Sequence, residues 1–101
     1  MISPSTLNMI PTIQQYLSEQ PIERAYLFGS YSRGEETPNS DIDLLVNYSN
    51  KSLSLLAISK IIVGLSKKLN RPVDIVEEDC LLNFAKESVN RDKILIYKKE
   101  Q

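Results

Sequence analysis

Asp41 and Asp43, two positions apart, sit at the mouth of the apolar run Ile42 to Val46, with ten residues between them and Gly29-Ser30, which closes the apolar run Ala25-Tyr26-Leu27-Phe28. Side chains alternate faces along a strand, so the two carboxylates are expected on one side, about 6 to 7 Å apart. Like charges so placed repel each other, and either a raised pKa or a bound cation relieves the repulsion. An oxygen-only ligand set open to solvent suits Mg²⁺ or Mn²⁺. A third carboxylate, Asp74, lies inside another apolar run, Val73-Asp74-Ile75-Val76. Asp-x-Asp beside a turn is by itself ordinary turn chemistry. The ordered set of strand, Gly-Ser turn, polar connection, carboxylate pair and further strand aspartate carries the reading.

Gly29-Ser30 turns the chain from its strand into a brief helical turn through Arg33, and the N–H groups at its start are unpaired donors of the kind that attract phosphate. Three carboxylates and a phosphate-binding turn point to two-metal phosphoryl or nucleotidyl transfer. In that scheme Asp41 and Asp43 bridge the metals, and Asp74 binds the catalytic one and helps remove the proton of the attacking hydroxyl. The amides of Gly29 and Ser30, with the Ser30 hydroxyl, hold the outer phosphates of a triphosphate, and Arg33 neutralises charge there.

Absent residue types narrow the chemistry further. The chain has no histidine, which removes Ser-His-Asp hydrolysis and His-ligated zinc. One cysteine, Cys80, cannot form an internal disulfide, so a reducing, cytoplasmic setting is expected; we place it partly buried at a helix start. The formal net charge of -1 lacks the basic excess of a phosphate-gripping surface, so no direct nucleic-acid binding is expected. The N-terminus has no basic lead into an apolar stretch, and no run of about eighteen apolar residues occurs, so neither secretion nor membrane spanning is expected.

The elements that must position these groups follow from periodicity. One domain over residues 1–101 is expected from length. A first helix starts at Ser3-Pro4, with Leu7, Ile10, Ile13 and Leu17 at helical spacing, and Pro11 either kinks or restarts it. Strands are expected at Ala25 to Phe28, Ile42 to Tyr48, Val73 to Glu77 and Ile94 to Tyr97. The strongest helix signal runs from Leu53 to Leu69, with Ile58, Ile61, Ile62, Leu65 and Leu69 on one face. Leu56 and Val63 fall outside that stripe and either pack on the first helix or form a partner surface. A last helix is expected from about Cys80 to Asn90, with Asp79 as its cap and Leu81, Phe84, Ala85 and Ser88 on one side. The order predicts an α/β (α+β) fold: a small mixed sheet of about four strands with helices packed on it.

Gly29-Ser30, ten residues, Asp41-x-Asp43 and the downstream Asp74 together resemble the nucleotidyltransferase domain of the DNA polymerase beta superfamily. From its lead-in helix through Tyr26 to Val46 the chain is similar to the minimal members, the MNT antitoxins found beside HEPN-domain ribonuclease toxins. The resemblance covers nearly the whole length and is most specific over residues 26 to 46. It implies the nucleotidyltransferase fold and Mg²⁺-dependent transfer of AMP from ATP to a tyrosine of the cognate HEPN toxin. By the resemblance Asp41, Asp43 and Asp74 hold Mg²⁺, two ions being expected, and Gly29 and Ser30 hold the nucleotide; Arg33 and Ser40 are the further candidates for nucleotide binding. Two other readings stand beside it: a non-catalytic module that neutralises the toxin by covering it, and a small-molecule nucleotidyltransferase.

Overall fold

The computed structural model describes residues 2–49, 52–80 and 83–99. Helix α1 (Pro4–Ser18) starts where Ser3 caps it, its hydroxyl accepting from the Thr6 amide at 3.3 Å. Pro11 lies inside α1 and the helix continues through it, so it neither restarts nor ends there. The buried stripe of α1 is Thr6, Ile13, Tyr16 and Leu17; Leu7, expected on that stripe, is exposed. Strand β1 (Ile22–Phe28) begins three residues before the expected Ala25, because Ile22 still pairs with Tyr48 of β2 (Ile42–Tyr48) and fills the core.

A one-turn helix α2 (Ser30–Arg33) links β1 to the polar loop before β2. Helix α3 (Leu55–Leu69) starts two residues later than the apolar pattern suggests, since the Ser54 hydroxyl accepts from the Ala57 amide at 3.1 Å and fixes the cap. Asn70 ends α3 in the left-handed region, and Pro72 leads into strand β3 (Val73–Glu77). A 3₁₀ turn, Glu78–Cys80, precedes helix α4 (Asn83–Asp92), so Cys80 belongs to the turn and is exposed, contrary to its expected place at a helix start. The expected roles of Leu81, and of the Asp79, Phe84, Ala85 and Ser88 side chains, lie outside what is described. Strand β4 (Ile94–Lys98) closes the chain.

The sheet order is β3-β2-β1-β4, antiparallel except for the parallel β2/β3 pair. A parallel pair needs a crossover, and α3 supplies it. Ile42, Leu44, Val46 and Tyr48 point to the helical side of β2 and are buried in the core with Ile13 and Leu17 of α1 and Ile61 and Leu65 of α3. By alternation Asp43, Leu45 and Asn47 point the other way. No described helix is long and apolar enough to cross a membrane.

The α1/α3 contact turns on one glycine. The buried Tyr16 hydroxyl donates to the Ile61 carbonyl at 2.9 Å, and a Cβ on Gly64 would collide with that hydroxyl and crowd the ring carbons at 3.2 and 3.3 Å. Gly64→Ala gains about 1 kcal/mol of helix propensity but costs about 1–3 kcal/mol of overpacking and about 1 kcal/mol for the lost hydrogen bond. Thermal unfolding should show a net loss of about 1–3 kcal/mol, smaller in a Tyr16→Phe background where the colliding oxygen is gone.

Candidate active site

The register of the sheet builds the site. On the face away from the core helices, Asp43 stands beside Asp74 in the parallel β2/β3 ladder and opposite Phe28 in the antiparallel β1/β2 ladder. Asp41 is exposed in the loop two residues earlier, and Asp74 is exposed on the edge strand, between the buried Val73 and Ile75. Burial pushes the Asp43 carboxyl up to about 6, and the negative charges of Asp74 and then Asp41 add to the rise; Arg33 acts against them. Three carboxylates therefore share one electrostatic environment. Among the described residues, no three acid or thiol groups stand close enough to form a finished metal cage. The donor set, all oxygen and mutually repelling, fits a hard divalent cation that would draw it together.

Gly29 completes the floor. Its φ of 76° and ψ of -155° belong to a region open to glycine and strained for side chains. A Cβ there would lie 2.5 Å from Asp43 Oδ2. The carboxylate thus approaches the Gly29 backbone at the start of α2. Two bonds to the Gly29 carbonyl hold that turn, from the Ser32 amide at 3.1 Å and the buried Ser32 hydroxyl at 2.7 Å. Sequence reasoning missed Ser32. Its spacing three residues after a turn glycine is the one available signal.

The remaining expected residues border this floor. Arg33 Nε donates to Glu35 Oε1 at 2.7 Å and its Nη1 to Asp92 Oδ2 at 3.0 Å, so it ties the turn to the end of α4. The Ser40 hydroxyl accepts from the Thr37 amide at 2.9 Å, closing the turn that presents Asp41. At the other end of the same face Lys93 straps the sheet. Its Nζ lies 4.4 Å from the Tyr26 ring centroid and 2.8 Å from Glu78 Oε2, while Asn47 Nδ2 donates to Glu78 Oε1 at 3.2 Å. Lys93 and Glu78 were not singled out from the sequence, because their pairing joins elements that are separate in the chain.

Comparison with known proteins then decides the family: a model of the polymerase beta nucleotidyltransferase family matches residues 11–101. The chain belongs to that family. Its fold is the nucleotidyltransferase fold, and it is a nucleotidyltransferase with the features of the minimal, MNT-type members. It is 38% identical over 71 residues to the Methanocaldococcus jannaschii protein named "Putative protein adenylyltransferase MJ0126", covering 69% of this chain and 71% of that one. A minimal nucleotidyltransferase of known structure superposes with a TM-score of 0.76 at 30% identity, over 93% of this chain and 95% of the other. A toxin–antitoxin structure with AMP-PNP gives a TM-score of 0.75 at 26% identity, over 91% and 75% of the two chains. The complex of a tri-AMPylated Shewanella oneidensis HEPN toxin with its MNT antitoxin gives 0.70 at 22% identity, over 93% and 73%, a likeness of fold.

Proposed function

We propose that this nucleotidyltransferase is the antitoxin of a HEPN/MNT pair and transfers AMP from ATP to a tyrosine hydroxyl of its HEPN toxin in the cytoplasm. The observation that carries the catalytic part is the register pairing of Asp43 with Asp74, with Asp41 adding its charge and Gly29 packed against Asp43. The toxin partner and the nucleotide are supported by the likeness to the toxin–antitoxin structure with AMP-PNP.

Asp41 and Asp43 would hold two Mg²⁺ ions, with Asp74 a ligand of one of them. Bound there, the ions supply charge neutralisation at the reacting phosphate and acidify the attacking hydroxyl. The tyrosine oxygen attacks the α-phosphorus, its bond to the bridging oxygen breaks, and pyrophosphate leaves. Asp74, exposed at the sheet edge, accepts the tyrosine proton. The Gly29 and Ser30 amides and the Ser30 hydroxyl bind the outer phosphates. Arg33 offsets their charge, and Ser40 borders the nucleotide beside Asp41.

Incubation with α-labelled ATP, Mg²⁺ and a HEPN protein, sought in the reading frames that flank this one, should label the HEPN protein. Chelation of the metal should reduce the rate by at least about 1,000-fold, and replacing the acceptor tyrosine by Phe should remove the label. Labelling that persists in a chelator would overturn the metal assignment. A second reading, neutralisation by covering the toxin, is favoured by the exposure of Leu56 and Val63, and the two modes are compatible.

A further inference from the structure

The outer side of α3 carries a second stripe, distinct from the one that faces the core. Leu56 and Val63 are 67% and 51% exposed, so neither is buried against α1. Two adjoining grooves, of about 420 and 410 Å³, share Val63 and Lys67 as walls. One runs along Leu56, Lys60 and Gly64, and the other continues to Arg71 and Pro72 at the entrance to β3. Leu56, Lys60, Val63 and Lys67 repeat at helical spacing over about 16 Å, roughly three turns of helix. The floor is apolar and its rim is cationic. Between Leu53 and Arg71 the chain has Lys60, Lys67, Lys68 and Arg71 and no Asp or Glu, although the whole protein carries a net charge of -1.

We propose that this groove is the docking surface for a helix of the HEPN partner, one with an apolar stripe flanked by Asp and Glu; the inference rests on the toxin–antitoxin reading above. Charge complementarity selects the occupant. An acidic amphipathic helix covers Leu56 and Val63 while pairing with Lys60 and Lys67. A second copy of this chain lying on the same face would bring like charges together, and a nucleic acid would leave the apolar floor unmatched. Because α3 packs on the side of the sheet opposite Asp43, docking there leaves the catalytic face open. The groove ends at Pro72, two residues before Asp74, so the bound partner is held next to the edge strand where its tyrosine must arrive.

The test is titration calorimetry of the purified HEPN protein that the labelling experiment uses into wild-type chain, Leu56→Asp/Val63→Asp and Lys60→Glu/Lys67→Glu, with Asp41→Asn/Asp43→Asn as the catalytic control. The apolar pair should weaken binding by at least about 30-fold. The charge pair should weaken it by at least about 10-fold, and wild-type affinity should fall as salt rises from about 0.05 to about 0.5 M. Both surface variants should keep wild-type unfolding temperatures and Mg·ATP binding, and the catalytic control should bind the HEPN protein as wild type does. Undiminished binding by both surface variants would overturn the docking surface and leave the toxin–antitoxin reading standing; no binding by wild type would overturn both. Sedimentation showing a dimer of the isolated chain that Leu56→Asp/Val63→Asp dissolves would assign the face to a second copy instead. A short RNA that binds wild type but not Lys60→Glu/Lys67→Glu would likewise overturn the proposal.

Discussion

Asp43→Asn should reduce AMP transfer by at least about 1,000-fold while making the metal-free protein more stable, a pair of opposite effects that follow from one carboxylate. Asp43 lies in the ladder between β1 and β3, partly buried, with Asp74 beside it and Asp41 near. Removing its charge removes the proposed bridging ligand, and the amide that replaces it is a weak donor to a hard cation. The stability effect has the opposite sign. In the folded chain the Asp43 carboxyl titrates near about 6, above its unfolded value, so the fold is favoured by protonation of this group. That contribution is fully present below the unfolded pKa and is lost as pH rises through about 6, above which the ionised carboxylate opposes folding. Discounted for partial solvent screening, the penalty at neutral pH is about 1 kcal/mol. In a domain of this size that corresponds to an increase of about 4–8 °C in unfolding temperature for Asp43→Asn without metal. Mg²⁺ should raise the unfolding temperature of wild type and leave that of Asp43→Asn nearly unchanged. Scans at pH 5 and pH 8, with and without Mg²⁺, check both signs; a variant no more stable than wild type at pH 8 would refute the repulsion argument.

Gly29→Ala should cost both stability and activity, and for a reason independent of charge. The position combines a φ of 76° with a Cβ site only 2.5 Å from Asp43 Oδ2. The backbone strain alone is about 1–3 kcal/mol. The methyl group also displaces the Asp43 carboxylate or the turn that starts α2, and a shift of about 1 Å in a reacting assembly costs about 100-fold in rate. We expect chemical denaturation to report the strain and single-turnover labelling to report the rate loss. Gly34→Ala, also at positive φ (71°) but at the far end of α2, separates the two contributions. It should show backbone strain at the end of α2 remote from the Gly29 turn. Equal activity losses at the two glycines would argue against the close approach of Gly29 to Asp43 as the cause.

The sequence by itself determined the chain order of elements and the chemistry of the donor groups. Local rules suffice for those: β2 occurs where alternation and apolar content place it, Ser3 caps α1, and Gly29 marks the turn before α2. Boundaries strayed where a tertiary partner or a cap competed with the pattern, as at Ile22, which pairs with Tyr48, and at Ser54, which caps α3. Pro11 shows the same limit, since α1 passes through it once the stripe of Ile13, Tyr16 and Leu17 is buried. Only the tertiary structure decided that Asp74 belongs with Asp43, because nothing local to either strand states that β3 lies parallel beside β2 in that register. It also decided that Leu56 and Val63 remain outside, because α1 meets α3 where Tyr16 packs over Gly64 and neither side chain is covered. A residue's type and local pattern are carried by the chain, whereas a contact between distant segments exists only after folding has brought them side by side.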